Sequence, residues 1–353
     1  MGSSQSVAAA TMRAIVHDSN APDARAFRTS FPKPVVAATD ASKLLVKVHA
    51  AALNPVDYKL PMFVVGGKAV GFDFAGVVEQ SASPLFAVGD AVFGNCTGAQ
   101  AEYVECAPGD VTRKPAHLSF VQAAALPTAY LTSLQALRRG SLQPGGSVLV
   151  IGASGGCGAA GVQLARAMGA AEVVGVCSQR NEPMVLGLGA HSTIDYTKGS
   201  IASALPADKR FDMVYDTVTE QTGDDYTDVA LSLCKENSKL VVINGSSWVW
   251  TKYFLGLQTL CNSQKSLLLT EHATADLDAI LACMAGAHAG GGPGFEPLID
   301  SVHAFDEVGM KSAYERLKSH RARGKIVIDL QAAPAPAVEA APVAAAEAPA
   351  TAI

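Results

Sequence analysis

Residues 147–169 read SVLVIGASGGCGAAGVQLARAMG, an apolar run, a glycine-rich turn and a helical pattern in succession. Ser147–Ile151 is an apolar run of strand length with no charge in it. Ala159–Met168 carries apolar residues at helical spacing and stops at Gly169. Between them lies Gly152-Ala153-Ser154-Gly155-Gly156-Cys157-Gly158. A glycine-rich turn that follows a strand and opens a helix is the arrangement that receives a dinucleotide. Gly152 permits the tight turn, Gly155 lets the backbone approach a pyrophosphate, and Gly158 lets helix pack closely on strand. Ser154, Gly156 and Cys157 complete the cofactor-binding turn. The helix start offers free N–H groups and the positive end of the helix dipole to the phosphates. The spacing is GxxGxxG rather than GxGxxG, and a glycine-rich turn without a ligand is the alternative.

Outward from this turn the alternation continues. Glu172–Cys177 is a second apolar strand, and Glu182–Leu188 is a short helix closed by Gly189. Met213–Val218, Leu240–Asn244 and Leu267–Thr270 are further strand candidates. Repeated strand–helix units with fully apolar strands predict an α/β fold, its parallel sheet covered on both faces. Before residue 134 the texture differs. Met12–His17, Lys43–His49, Gly76–Glu79 and Asp90–Gly94 are short strands separated by turns, which predicts an irregular β domain. At the other end a polar helix, Glu307–His320, precedes a last strand, Lys325–Leu330.

The end of the second strand predicts which nucleotide binds. An NAD site places a carboxylate there for the ribose 2′-OH. Here the residues are Cys177-Ser178-Gln179-Arg180, with no carboxylate until Glu182. Ser178 offers a hydrogen bond and Arg180 a charge to a 2′-phosphate, so NADPH is the expected cofactor. A solvated Arg180 at a helix start is the alternative.

Composition narrows the function classes. At 353 residues and 49% hydrophobic, the chain has material for one large core or two smaller ones. A formal net charge of −5 implies no basic face, so nucleic acid is not an expected partner. The 7 cysteines are scattered with no CxxC pair, which fits free thiols in a reducing, cytoplasmic setting. No apolar run reaches the length of a spanning helix, and no secretory leader is visible. Residues 331–353 are almost all Ala, Pro and Val, and a disordered tail is expected. Residues 1–11 read MGSSQSVAAAT, an N-terminal extension. Gly2 with Ser6 fits the N-myristoylation pattern, an ordinary flexible leader being the alternative. With no neighbouring Cys or polybasic run, one acyl chain would give only reversible membrane association.

Several further segments carry a resemblance. LNPVDYKL (53–60), GFDFAGVVE (71–79), VGDAVFG (88–94), AAALPTAYLTSLQAL (123–137) and VLVIGASGGCG (148–158) are similar, in order, to motifs of the medium-chain dehydrogenase/reductase superfamily. The likeness is strongest to its zinc-free quinone oxidoreductase and enoyl-reductase branch. It spans residues 12–330. It implies a GroES-like β domain built from 12–133 and 298–330, with a Rossmann domain, 134–297, inserted between them. Zinc-dependent members carry a Cys near the position of Asn54 and Gly-His-Glu near Gly71-Phe72-Asp73, so no metal is expected here.

The resemblance also implies roles. Asn54 would sit near the nicotinamide amide or the substrate carbonyl, a turn residue before Pro55 being the alternative. Tyr58 is the candidate donor to the developing enolate or quinol oxygen, or else a cleft-wall aromatic. Thr132, read at the start of a helix LTSLQAL, matches a position that contacts the nicotinamide, or is an N-cap. Tyr196 would face the 2′-phosphate. Asn244 and Gly245 would form the nicotinamide-side loop. Lys325 would reach the cofactor from the returning segment, or be a surface lysine. The loop 59–70 is short and lacks the arginine segment often found there, so the likeness does not specify the substrate. His117, His191, His272, His288, His303 and His320 show no pairing pattern and are expected to be structural or exposed. The expected activity is NADPH-dependent hydride transfer to a small quinone or α,β-unsaturated carbonyl, in a protein that is a candidate homodimer. A cofactor-binding or membrane-associated scaffold without turnover is the competing reading.

Overall fold

The computed structural model describes residues 10–21, 24–60, 65–219, 226–245, 264–289 and 295–332. Gly2, and the Ala/Pro-rich tail from residue 333 on, lie outside the described residues.

Strands β1 (Thr11–His17) and β2 (Arg25–Pro32) form an antiparallel hairpin. A larger antiparallel system follows: β3 (Leu44–Ala52), β4 (Asp73–Ser81), β5 (Ala91–Asn95), β6 (Tyr103–Cys106) and β7 (Val111–Arg113). The parallel system is β8 (Ser147–Ile151), β9 (Glu172–Cys177), β10 (Ser192–Asp195), β11 (Phe211–Asp216), β12 (Cys234–Val242) and β13 (Lys265–Leu267). Two returning strands, β14 (Ile299–Ala304) and β15 (Lys325–Asp329), close the chain.

The parallel sheet runs β10-β9-β8-β11-β12-β13. The order in which strands are added therefore reverses between the parallel neighbours β8 and β11, and ligands of open α/β sheets bind beyond the strand ends at such a switch. Both faces of this sheet are covered. On β8, Val148 and Val150 pack into one cluster with the helices Pro127–Arg139 and Gly156–Ala167. Leu149 and Ile151 point to the opposite cluster with Phe211 and Val214. That alternation explains why the strand is apolar at every position.

The second sheet runs β14-β15-β3-β4-β5-β7, with β6 added on β3. β15 lies antiparallel to β3, pairing Val327 with Ala52 and Asp329 with Ala50. The returning segment thus brings Lys325 beside Leu53 and Asn54. One residue earlier, Gly324 N donates to Ser154 O at 3.0 Å, and Gly155 and Gly324 form an isolated bridge. The glycine-rich turn is stitched to the second sheet at that point.

Several expectations need correction. The helix after the turn begins at Gly156, not Ala159, because glycines there take helical angles without side-chain contacts to signal them. Residues 120–130, read within a β region, and the helix start read at LTSLQAL belong to two helices, Phe120–Ala124 and Pro127–Arg139. Ser119 and Gln122 make a capping box for the first, and Pro127 opens the second. Thr132 is accordingly in a helix interior, neither a helix start nor an N-cap. The helix Thr274–Ala289 was not expected, although Leu277, Ile280 and Met284 are buried at helical spacing. β12 begins at Cys234, since a polar edge run, Lys235-Glu236-Asn237, hides its start.

Candidate active site

A cleft of about 700 Å³ opens where β8 and β11 end, between the two sheets. Gly152, Ser154, Gly155, Gly156 and Cys157 form its floor. Gly152 has φ +81°, and a Cβ there would meet Thr217 Oγ1 at 2.5 Å. Only glycine satisfies both demands. A Cβ on Gly158 would stand 2.1 Å from Gly152 O, so this residue lies behind the turn and permits its tightness. Around Gly155 the nearest atom to such a Cβ is 3.6 Å away. The backbone is therefore open to a ligand there. The first N–H groups of the Gly156–Ala167 helix have no partner within the helix and face the same space. Burial pushes the Cys157 thiol up to about 11, so it stays neutral and is no nucleophile.

At the end of the cleft beside β9 and β10, Tyr196 lines it and is 39% exposed. Ser178 and Arg180 stand just past β9, outside the lining, with Arg180 exposed and hydrogen-bonded to none of the described residues. A carboxylate comes near from the next strand, since Asp195 lies opposite Cys177 in register. That carboxylate is engaged by Thr197 N at 3.0 Å and Thr197 Oγ1 at 2.7 Å. Those bonds hold it below the usual range, against a smaller effect of burial.

At the opposite end sits a buried polar hub. Lys325 Nζ donates to Leu53 O at 3.0 Å, Asn54 Oδ1 at 2.5 Å and Asp73 Oδ2 at 3.2 Å. Asn54 Nδ2 donates to Asp73 Oδ2 at 2.9 Å. An ammonium only donates and a carboxylate only accepts, so the Asn54 amide can sit one way round. Asp73 Oδ1 accepts from Asn95 Nδ2 at 2.8 Å and from Thr128 N at 3.0 Å. The Lys325 and Asp73 side chains are 5% and 0% exposed. Lys325 is therefore a buried counterion, not a surface lysine. All three of its hydrogens are committed, while the second Asn54 Nδ2 hydrogen has no acceptor among the described residues.

Other expected residues are not brought to this hub. Tyr58 is half-buried on the short helix Val56–Lys59 and is not among the cleft-lining residues. Burial raises its phenol, and the Arg25 charge opposes that. Thr132 Oγ1 bonds Thr128 O at 2.6 Å and Thr270 Oγ1 at 2.7 Å, away from the cleft. Asn244 Nδ2 donates to Thr217 O at 3.0 Å, which ties the Asn244-Gly245 loop beside the cleft without lining it.

Thr217, His320 and Arg321 line the cleft although none was read as a site residue, His320 having been expected to be structural or exposed. Thr217 follows β11 and bonds Ile151 O at 2.8 Å. Only the strand order, not a motif, reveals it. His320 and Arg321 enter from the loop after the Glu307–Lys318 helix, with His320 at φ +53°. Lys325, already read as reaching the cofactor from the returning segment, was the available signal.

A zinc ion, the metal of related dehydrogenases, does not fit these residues. The carboxylate of Asp73 is already occupied by an ammonium and hydrogen-bond donors. Among the described residues no group of three or more His, Cys, Asp or Glu could hold a metal. Zinc needs several convergent soft or imidazole ligands.

Two family models match the chain: one described as alcohol dehydrogenase GroES-like domain, over residues 40–133, and one as zinc-binding dehydrogenase, over 188–328. The 2-methylene-furan-3-one reductase of Solanum lycopersicum is 31% identical over 305 residues, 81% of this chain and 71% of that protein. The chain belongs to the medium-chain dehydrogenase/reductase superfamily. Within it the chain falls in the quinone oxidoreductase and enoyl-reductase-like branch. The chloroplastic NADPH-dependent alkenal/one oxidoreductase of Arabidopsis thaliana is 34% identical over 227 residues, 58% of this chain and 55% of that protein. Against that relative the chain spans little more than half the length. The quinone oxidoreductase from Coxiella burnetii superposes with a TM-score of 0.75 at 27% identity, covering 91% of this chain and 100% of that one. The superfamily's pairing of a GroES-like sheet with a Rossmann sheet is the architecture observed. No helix among the described residues is long and apolar enough to cross a membrane.

Proposed function

We propose that the chain is an NADPH-dependent, zinc-independent oxidoreductase that transfers hydride to a quinone or an α,β-unsaturated carbonyl. Residues 12–133 with 298–330 form its substrate-side domain, and 134–297 its cofactor domain. The observation that carries this reading is the buried Lys325–Asp73–Asn54 hub at the acceptor end of a glycine-floored cleft. A positive side chain stands beside an amide donor where zinc-dependent relatives assemble metal ligands. Nicotinamide chemistry supplies the hydride when the cofactor is bound. An already electrophilic acceptor then needs only modest help as its oxygen gains charge. The free N–H of Asn54 can hydrogen-bond that oxygen, and Lys325 orients Asn54. Water in the open cleft supplies the proton, since Tyr58 stands back from the lining. The likeness to furanone, alkenal and quinone reductases supports the acceptor class.

Cofactor choice rests on the strand end. Ser178, Arg180 and Tyr196 offer donors and a positive charge, and Asp195 is turned to its own Thr197. Arg180→Ala should weaken NADPH binding roughly ten- to a hundredfold and leave NADH binding nearly unchanged. Fluorescence titration of both nucleotides against both proteins checks this. Equal losses for the two nucleotides would remove Arg180 from the 2′-phosphate site.

A further inference from the structure

Beneath the acceptor end of the cleft lies a polar shell, none of whose members lines the cleft. Asp57 and Gln100 are fully buried, Tyr314 is 2% exposed and Arg25 5%. Asp57 Oδ2 accepts from Asn54 N at 2.8 Å and from Gln100 Nε2 at 3.1 Å. Tyr314 OH donates to Gln100 Oε1 at 2.9 Å. The Arg25 guanidinium lies over the Tyr314 ring, 4.1 Å from its centre. Among the described residues five buried side-chain polar atoms have no hydrogen-bond partner, and two of them lie in this shell: Asp57 Oδ1 and Arg25 Nη2. Buried polar atoms without partners are uncommon in folded proteins, and one beside a charge partner is a candidate for a functional charge.

The charges decide what that use is. Asp57 is faced by Asp73 from β4, Lys325 from β15, Arg25 from β2 and Tyr314 from the Glu307–Lys318 helix. Lys325 and Asp73 cancel each other. Arg25 forms no ion pair with a described residue, so Asp57 is the carboxyl that can offset it. With Asp57 protonated, the shell and hub together carry one positive charge. With Asp57 ionised, they carry none.

We propose that Asp57 is a positioning residue for hydride transfer: its carboxyl holds the Asn54 backbone, and while protonated it leaves the Arg25 charge uncancelled beneath the acceptor, so that turnover falls as Asp57 ionises. This rests on the reductase reading above. Hydride brings an electron pair to the acceptor carbon, and the conjugated oxygen takes up the negative charge before water protonates it. A single positive charge in a poorly hydrated shell stabilises that oxygen more than it stabilises the neutral substrate. The working range is set by Asp57 itself. Burial pushes its carboxyl up to about 7; the Asn54 N–H opposes this, Asp73 adds to it, and Lys325 and Arg25 oppose it.

The test is a pH profile of kcat/KM with saturating NADPH and an enone, for wild type and variants. The wild type should decline roughly tenfold or more between pH 6 and 8.5. Asp57→Asn should abolish that decline, whatever its absolute level. Asp57→Ala should lower kcat about tenfold while NADPH affinity stays put, because it frees the Asn54 backbone but leaves the nucleotide end intact. Arg25→Met removes a cation that favours the ionised form, so the decline should move to higher pH. The same limb in Asp57→Asn, or an unmoved limb in Arg25→Met, overturns the proposal. Stability gives a reading that needs no turnover. A carboxyl with a raised folded pKa stabilises fully below its unfolded value of about 4, and that contribution is lost as pH rises through about 7. The melting temperature of Asp57→Asn relative to wild type should therefore climb between pH 5 and 8. A constant difference overturns the Asp57 assignment. A climbing difference with no wild-type turnover leaves the Asp57 titration standing and overturns the reductase reading and with it the catalytic role.

Discussion

Lys325→Met should lose about 3–5 kcal/mol of folding stability, the usual cost of stripping one partner from a buried ion pair. The reason is local. Asp73 is fully buried, and Lys325 Nζ is its cationic partner at 3.2 Å. Methionine matches the stem in size but leaves the carboxylate facing no charge. Asn54 Oδ1 and Leu53 O lose their donor in the same step. Turnover should fall with stability, because Asn54 is no longer held one way round. Denaturant unfolding followed by circular dichroism measures the first effect, and a fall in midpoint at constant slope identifies it as stability. Adding Asp73→Asn to Lys325→Met should recover part of the loss, since the uncompensated charge disappears with it. A single variant as stable as wild type would show that the hub contributes nothing to the fold.

Gly158→Ala should cost about 1–3 kcal/mol and abolish detectable NADPH binding. Its Cβ would stand 2.1 Å from Gly152 O and 2.7 Å from Gly152 C, and neither is the end of a flexible side chain. The turn has to open, and the phosphate cradle opens with it. Gly155→Ala separates packing from binding. Gly155 has φ −82°, which alanine adopts readily, and only Gly152 O lies within reach, at 3.6 Å. That variant should fold at least as well as wild type, by up to about 1 kcal/mol, and still bind NADPH more weakly. Thermal melting and nucleotide titration on both variants check the pair of outcomes. Unimpaired NADPH binding by Gly158→Ala would place the cofactor elsewhere.

The contrast between the glycine turn and the Asp57 shell shows what was legible in the sequence. β8 and β9 follow from apolar runs, and the turn between β8 and its helix follows from glycine spacing. These are local properties, carried by neighbouring residues. Lys325 was read as cofactor-facing from its place in the returning segment, but its bond to Asp73 joins residues far apart in the chain. No spacing rule encodes such a pair. Thr132 was placed at a helix start because the helix was read from LTSLQAL, whereas Pro127, the real opener, lies one turn earlier. Tyr58 was chosen for its chemistry, and chemistry alone does not say that the short Val56–Lys59 helix keeps it off the cleft wall. Asp57 lies in the same motif as Asn54, yet only burial and its unpartnered oxygen mark it out.

The central claim is metal-free hydride transfer from NADPH to an activated acceptor. The direct measurement is NADPH oxidation by the purified chain with a panel of enals, enones and quinones, with and without a strong zinc chelator. At least one acceptor class should be turned over, faster with NADPH than with NADH, at a rate the chelator leaves unchanged. Cofactor binding with no turnover of any acceptor, or activity lost to the chelator and restored by zinc, would contradict that claim.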